Sequence, residues 1–234
     1  MRITFLLITL AMTASAGPCL VGSLSDYISL GAGGCSLGAT PDAPVVKGFT
    51  ITPGLFGATP LDPGFVTITP IDLPSQKGIN VAYSTTAVLA ALETFFQFQI
   101  TGPNLVGVAQ TLASAAVSGD GAVTGLTNLC RDGSYAGAIF GCSGTDHSLT
   151  VVELDGFSLP MDSASFPVSS FFDVFFELTL DGGLAGTAIG ASSSLVFTQT
   201  PEPGAWALTL CGGLALAGLR YRSSKQTSPS RSNQ

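Results

Sequence analysis

Phe171-Phe172-Asp173-Val174-Phe175-Phe176-Glu177-Leu178-Thr179-Leu180 is the stretch that decides the fold. Side chains on an extended strand alternate between two faces. Phe172, Val174, Phe176, Leu178 and Leu180 then share one apolar face, while Phe171 and Phe175 alternate with Asp173, Glu177 and Thr179 on the other. A two-residue period argues a strand. Asp181-Gly182-Gly183 turns the chain after it. Upstream, Phe96, Phe98 and Ile100 alternate with Gln97 and Gln99 in the same way.

Working outward, short β-rich runs recur at 48–52, 64–71, 79–84, 122–130, 148–154 and 193–198, bounded by Gly, Pro, Asp and Ser. Pro53, Pro60, Pro63, Pro70 and Pro74 mark edge strands or turns, because proline cannot donate to a ladder. Residues 105–116 read as strand or helix, since their alanines blur the period. Ser118-Gly119-Asp120-Gly121 holds an Asp-Gly pair, a hairpin signal. The run of short strands predicts an all-β, antiparallel β-sandwich or jelly roll over residues 17–200. Outside the chain ends no helix is expected, and no internal repeat stands out.

Both ends depart from this pattern. Arg2 precedes an apolar run from Ile3 to Met12, and Thr13-Ala14-Ser15-Ala16 ends in small-x-small residues. That is a signal peptide over 1–16, cleaved after Ala16. Cys19 follows Pro18, which is too large for the residue before a lipid-attachment site. At the other end, Pro201-Glu202-Pro203-Gly204 precedes an uncharged span beginning at Ala205 and running to Leu219. Arg220, Arg222 and Lys225 follow as a stop-transfer basic cluster, with Arg231 beyond. At about 1.5 Å per residue, the span with Tyr221 falls slightly short of the roughly 30 Å hydrocarbon core. Snorkelling arginines close part of the difference. The positive tail favours a cytoplasmic C-terminus. Pro201 and Pro203 fix an extended backbone around Glu202 that a processing enzyme can read. The resulting layout is a recognition motif at 201–204, a transmembrane sorting helix at 205–221 and a basic cytoplasmic tail at 222–234.

Pro201-Glu202-Pro203, the span and the basic cluster together resemble the sorting domain of the PEP-CTERM family of Gram-negative surface proteins. The opening Leu24-Ser25-Asp26-Tyr27-Ile28 with Leu30-Gly31 and Gly34-Cys35 also resembles many ectodomains of that family. The resemblance implies an exosortase-type enzyme and signal peptidase as processing partners. It implies passage through the inner membrane and a final place at the cell surface or outside. A non-enzymatic role in the exopolysaccharide or biofilm matrix goes with it. A carbohydrate-binding, lectin-like sandwich is the alternative function.

Residues 17–200 hold 3 basic against 14 acidic side chains, a net charge of −11 where the whole chain carries −7. Such a domain repels nucleic acid and anionic lipid. Its four cysteines, Cys19, Cys35, Cys130 and Cys142, read as disulfides of an oxidising compartment. Four cysteines permit three connectivities, and the two local pairings are favoured because short loops close most easily. Cys211 lies in the apolar span.

No metal, cofactor or catalytic residue is expected. Their spacing does not suit zinc, and His147 is the only histidine. Asp146 beside it should point to the opposite face. Gly141-Cys142-Ser143-Gly144 misses a nucleophile elbow by one position. Asp173 and Glu177 lie about 13 Å apart along a strand, too far for a glycosidase pair, and are expected to face solvent. Asp120, Asp132, Asp155 and Asp181, each followed by Gly, are the calcium candidates, without an established loop pattern. As sugar platforms, Tyr27, Tyr83 and Tyr135 look scattered, and the phenylalanines are accounted for by core strands.

Overall fold

The computed structural model describes residues 16–52, 58–113, 115–135 and 141–200. All the described elements lie in one compact unit ending at Gln199. The leader up to Ser15, the Pro201-Glu202-Pro203 motif, the apolar span and the basic cluster lie outside the described residues. Among the described residues no helix is long and apolar enough to cross a membrane.

The described chain is built almost wholly of strands. In order they are β1 (Gly22–Ser23), β2 (Cys35–Ser36), β3 (Val45–Ile51), β4 (Thr59–Pro60), β5 (Thr67–Leu73), β6 (Gln76–Val88) and β7 (Ala91–Ala113). Then come β8 (Ala116–Ser118), β9 (Ala122–Arg131), β10 (Thr145–Leu154), β11 (Phe157–Leu159), β12 (Met161–Asp181) and β13 (Thr187–Gln199). They form a single sheet with the main order β1-β5-β6-β13-β7-β12-β9-β10-β11. Pairing is antiparallel except between β4 and β7.

Two long strands organise this sheet. The first half of β7 pairs with β3 and with the second half of β12, which β9 extends. Beyond Thr101, β7 pairs instead with β13 and with the first half of β12. The β7–β12 register shifts between Ser165 and Phe171, near Asn104 at φ 57°. The two halves meet face to face as a sandwich. The Phe172 ring lies 5.5 Å from Phe197, and the Tyr83 hydroxyl on β6 donates to the Leu178 carbonyl on β12 at 2.7 Å.

The alternation read from 171–180 places its residues correctly. Phe172, Val174, Phe176, Leu178 and Leu180 are all fully buried in one core with Phe96, Phe98 and Ile100. Burying these eight apolar side chains contributes about 1.5–3 kcal/mol each. Phe49 of β3 stacks on Phe98 with centroids 5.0 Å apart.

Several expectations are corrected. One short helix, α1 (Leu24–Ser29), exists and is closed by a capping box: Asp26 N–H donates to Ser23 Oγ while Ser23 N–H donates to Asp26 Oδ2. Its Tyr27 packs edge-on against Phe49. Residues 105–113, left open between strand and helix, are strand, continuous with 91–104. The 64–71 run is a 3-10 turn (Pro63–Phe65) followed by β5. Asp120-Gly121 turns the chain but makes no hairpin, because β8 pairs with β13 while β9 pairs with β10 and β12.

Candidate functional site

A groove of about 820 Å³ opens between the 61–65 turn and strands β5, β6 and β13. Thr67, Ala82 and Ser192 form one row across the three strands, as register partners. They alternate with the buried residues Ile68, Val81 and Ser193, so they face away from the core. Asn80 Nδ2 donates to Ser192 Oγ at 2.7 Å and to Ser194 Oγ at 2.8 Å, fixing the hydroxyl that lines the groove.

A β-bulge opens this site. Ile189 pairs with Thr86, but Ala191 pairs with Tyr83, so Ser84 and Thr85 stand opposite Gly190 alone. Gly190 has φ 40°, a backbone conformation that favours glycine. A bulge bends its strand and re-aims the side chains beside it. Ser84 and Thr85 both line the groove as a result. At the rim stands Phe65, 75% exposed. It is held on a tight turn: Asp62 caps it by accepting from Gly64 N–H at 2.8 Å, and Pro63 pre-sets the first position. Tyr83 forms part of the wall, but its hydroxyl is spent on Leu178. Burial, with Glu177 and Glu93 adding, holds that phenol above its ordinary range. The groove therefore offers hydroxyls and an exposed ring, with no carboxylate or cation among its lining side chains.

A second, polar pocket of about 320 Å³ lies on the solvent side of β3, β7 and β12, lined by Lys47, Thr50, Gln97, Gln99 and Asp173. Here the sequence expectation fails. Asp173 does not face solvent; it is 1% exposed. Gln97 Nε2 donates to both its oxygens at 2.8 Å, and Tyr135 N–H donates to Oδ2 at 3.0 Å. The cause is the loop after β9. The Cys130–Cys142 disulfide ties Cys142 to β9, and Tyr135 makes a bridge to Cys142. Tyr135 then lies over Phe175, ring centroids 4.9 Å apart, in a small second core with Phe95 and Cys130. Tyr135 hydroxyl donates to Asp146 Oδ1 at 2.6 Å. Burial and that carboxylate raise the phenol above its ordinary range.

The remaining sequence candidates fall as follows. Cys19 bonds Cys35, and Cys130 bonds Cys142. His147 packs near Phe166, and Asp146 is engaged by Tyr135, so the two do not act together. Asp120 accepts from Leu184 and Ala185 N–H, both at 2.8 Å, and Asp181 accepts from Gly183 N–H. Asp132 accepts from Ser169 Oγ and lies 3.6 Å from Arg131 Nε. Among the described residues no group of three or more His, Cys, Asp or Glu gathers to hold a metal. Tyr27, Tyr83 and Tyr135 are all buried, with hydroxyls spent inside the protein. Burial pushes the Tyr27 phenol up to about 12. Phe65 is the ring that sequence reading missed. Its signal was Asp62-Pro63-Gly64, a turn that takes the following phenylalanine out of the alternating runs.

Neither a protein-family model nor a curated protein matches this chain. Among solved structures it is similar to TmCBM61, solved in complex with beta-1,4-galactotriose. That likeness has 10% identity and a TM-score of 0.28 over 55% of this chain and 85% of that one. It is also similar to the enzymatically active domain of bacteriophage CBA120 tailspike protein 4. There the identity is 15% and the TM-score 0.19, over 71% of this chain and 21% of that one.

Proposed function

We propose that this protein is an exported, non-enzymatic β-sandwich of the cell surface or extracellular matrix that binds a neutral glycan in the groove beside Phe65. One observation supports this reading above the others: a bulge-built, uncharged groove joins several hydroxyls to one exposed aromatic ring. A sugar ring has an apolar face that stacks on an aromatic side chain and an equatorial rim of hydroxyls. The groove offers a partner for each. Glycan binding is thus favoured over a purely structural matrix role.

Export rests on separate grounds. Two disulfides suit an oxidising compartment outside the cytoplasm. The PEP-CTERM-like arrangement from Pro201 to Lys225 supplies a route: insertion, recognition by an exosortase-type enzyme and release from the span. Intact-mass measurement of the surface form is expected to show loss of both ends, and a mature protein that keeps Trp206 would falsify the processing step.

Glycan binding is tested with the full chain on immobilised neutral gluco-, galacto- and mannopolysaccharides. Retention on at least one is expected. Phe65→Ala should weaken it about tenfold, the equivalent of about 1.4 kcal/mol. No retention on any neutral or host polysaccharide returns the protein to the structural class.

A further inference from the structure

We propose that the polar pocket on β3, β7 and β12 is a second site for a neutral sugar, so that one molecule cross-links two glycan strands. The inference rests on the glycan reading of the groove and adds a ligand for a place that reading leaves unused.

The pocket is organised before any ligand arrives. Lys47, Gln99 and Asp173 are successive partners across three strands, and Thr50 pairs with Gln97 one row away. Neighbouring strands lie about 4.8 Å apart, so these side chains converge on one small ligand. Asp173 is buried, and its oxygens take the Gln97 amide and the Tyr135 N–H. With Nε2 committed there, Gln97 presents its Oε1 as a fixed acceptor. The Cys130–Cys142 disulfide holds Tyr135 and so holds the whole chain of contacts. A side chain oriented by buried partners loses little freedom on binding.

Hydrogen-bonding capacity is left over. Among the described residues, Lys77 is paired with Asp72 and Arg131 with Asp132. Lys47 has no such partner, and the Gln99 amide and Thr50 hydroxyl have no hydrogen bond. Ammonium, two amides and a hydroxyl are donors and acceptors suited to the hydroxyls of a pyranose. Charge sets the class more narrowly. Lys47 and Asp173 balance within the pocket, and the −11 of residues 17–200 repels polyanions, so the ligand is an uncharged sugar.

This pocket too sits at a bulge. Lys47 pairs with Gln99 and Thr50 with Gln97, which leaves Gly48 and Phe49 opposite Phe98 alone. Gly48 has φ 65°, and its N–H donates to the Gly31 carbonyl at 2.9 Å. The two openings lie on the solvent sides of different sandwich halves. Gln97, Gln99 and Asp173 alternate with core residues of one half, and Thr67, Ala82 and Ser192 with those of the other. Two such faces look in opposite directions, so a single short glycan does not reach both.

Titration calorimetry of the full chain with gluco-, galacto- and mannotetraoses, and light scattering with the matching long polymers, test the proposal. The wild-type chain should bind two tetraoses and raise scattering. Lys47→Ala and Gln99→Ala, made separately, should each weaken one site at least tenfold and abolish the scattering rise while the other site keeps its affinity. Phe65→Ala should do the same to the complementary site. One site per chain, lost in Phe65→Ala and unmoved by Lys47→Ala and Gln99→Ala, overturns the second site and leaves the groove standing. No binding by the wild-type chain overturns both.

Discussion

Glu93 of β7, paired in the sheet with Pro60 of β4, is 2% exposed. Its Oε1 has no hydrogen-bond partner among the described residues. Burial, and then the Glu177 carboxylate, hold its carboxyl above the ordinary range. The unfolded chain releases that proton first, so the penalty sets in as pH rises through 4.5 and is complete above the folded value. Glu93→Gln should therefore stabilise the protein by about 1–3 kcal/mol near neutral pH, and the gain should vanish below the ordinary glutamate range. Urea melts at about pH 7 and about pH 3.5 measure both. Asp120 has the opposite sign. The N–H groups of Ala185 and Leu184 hold its carboxyl low. Its stabilisation is present above the unfolded value of 3.8 and is lost as pH falls through the folded one. Asp120→Ala should lower the melting temperature at neutral pH, with the difference closing in strong acid. Such environments were hidden in the sequence. The alternation showed that Asp173 leaves the main core, but its burial comes from Tyr135, 38 residues away in sequence.

The core faces of β7 and β12 were legible because apolar residues recur there with period two. Their lengths were not. Gly102-Pro103-Asn104 and Ser169-Ser170 look like breaks, yet each strand runs through them: β7 trades β3 for β13, and β12 keeps β7 and gains β9. The bulges at Gly48 and Gly190 were equally silent, since glycine in a short run also reads as a boundary. The disulfide loop over β12 follows the same logic. Cys130→Ser/Cys142→Ser should cost about 3 kcal/mol from the loop it closes, by the chain-entropy account. It should also free Tyr135, which a rise in near-ultraviolet accessibility or a fall in the phenol's titration midpoint would report. Unchanged tyrosine titration in the double variant would mean that packing on Phe175 alone holds the loop.

Charge is the property the whole molecule shows most plainly, and it was readable from composition. With both proposed openings uncharged or internally balanced, ionic strength should matter little. Glycan affinity is expected to change less than about twofold between low and high salt, because screening acts only on charged partners. A steep salt dependence in calorimetry would point to an acidic ligand and away from neutral sugars. The order of pairing has a different reach. β13 lies between β6 and β7, although it is the last of the described strands to be made. While the chain is still growing, the slot between those two strands stands empty, and β12 has not yet joined β7. Until about residue 199 clears the ribosome, β6 and β7 each lack the strand that joins them, so hairpins such as β5–β6 and β9–β10 can form early but wait unjoined for the last piece.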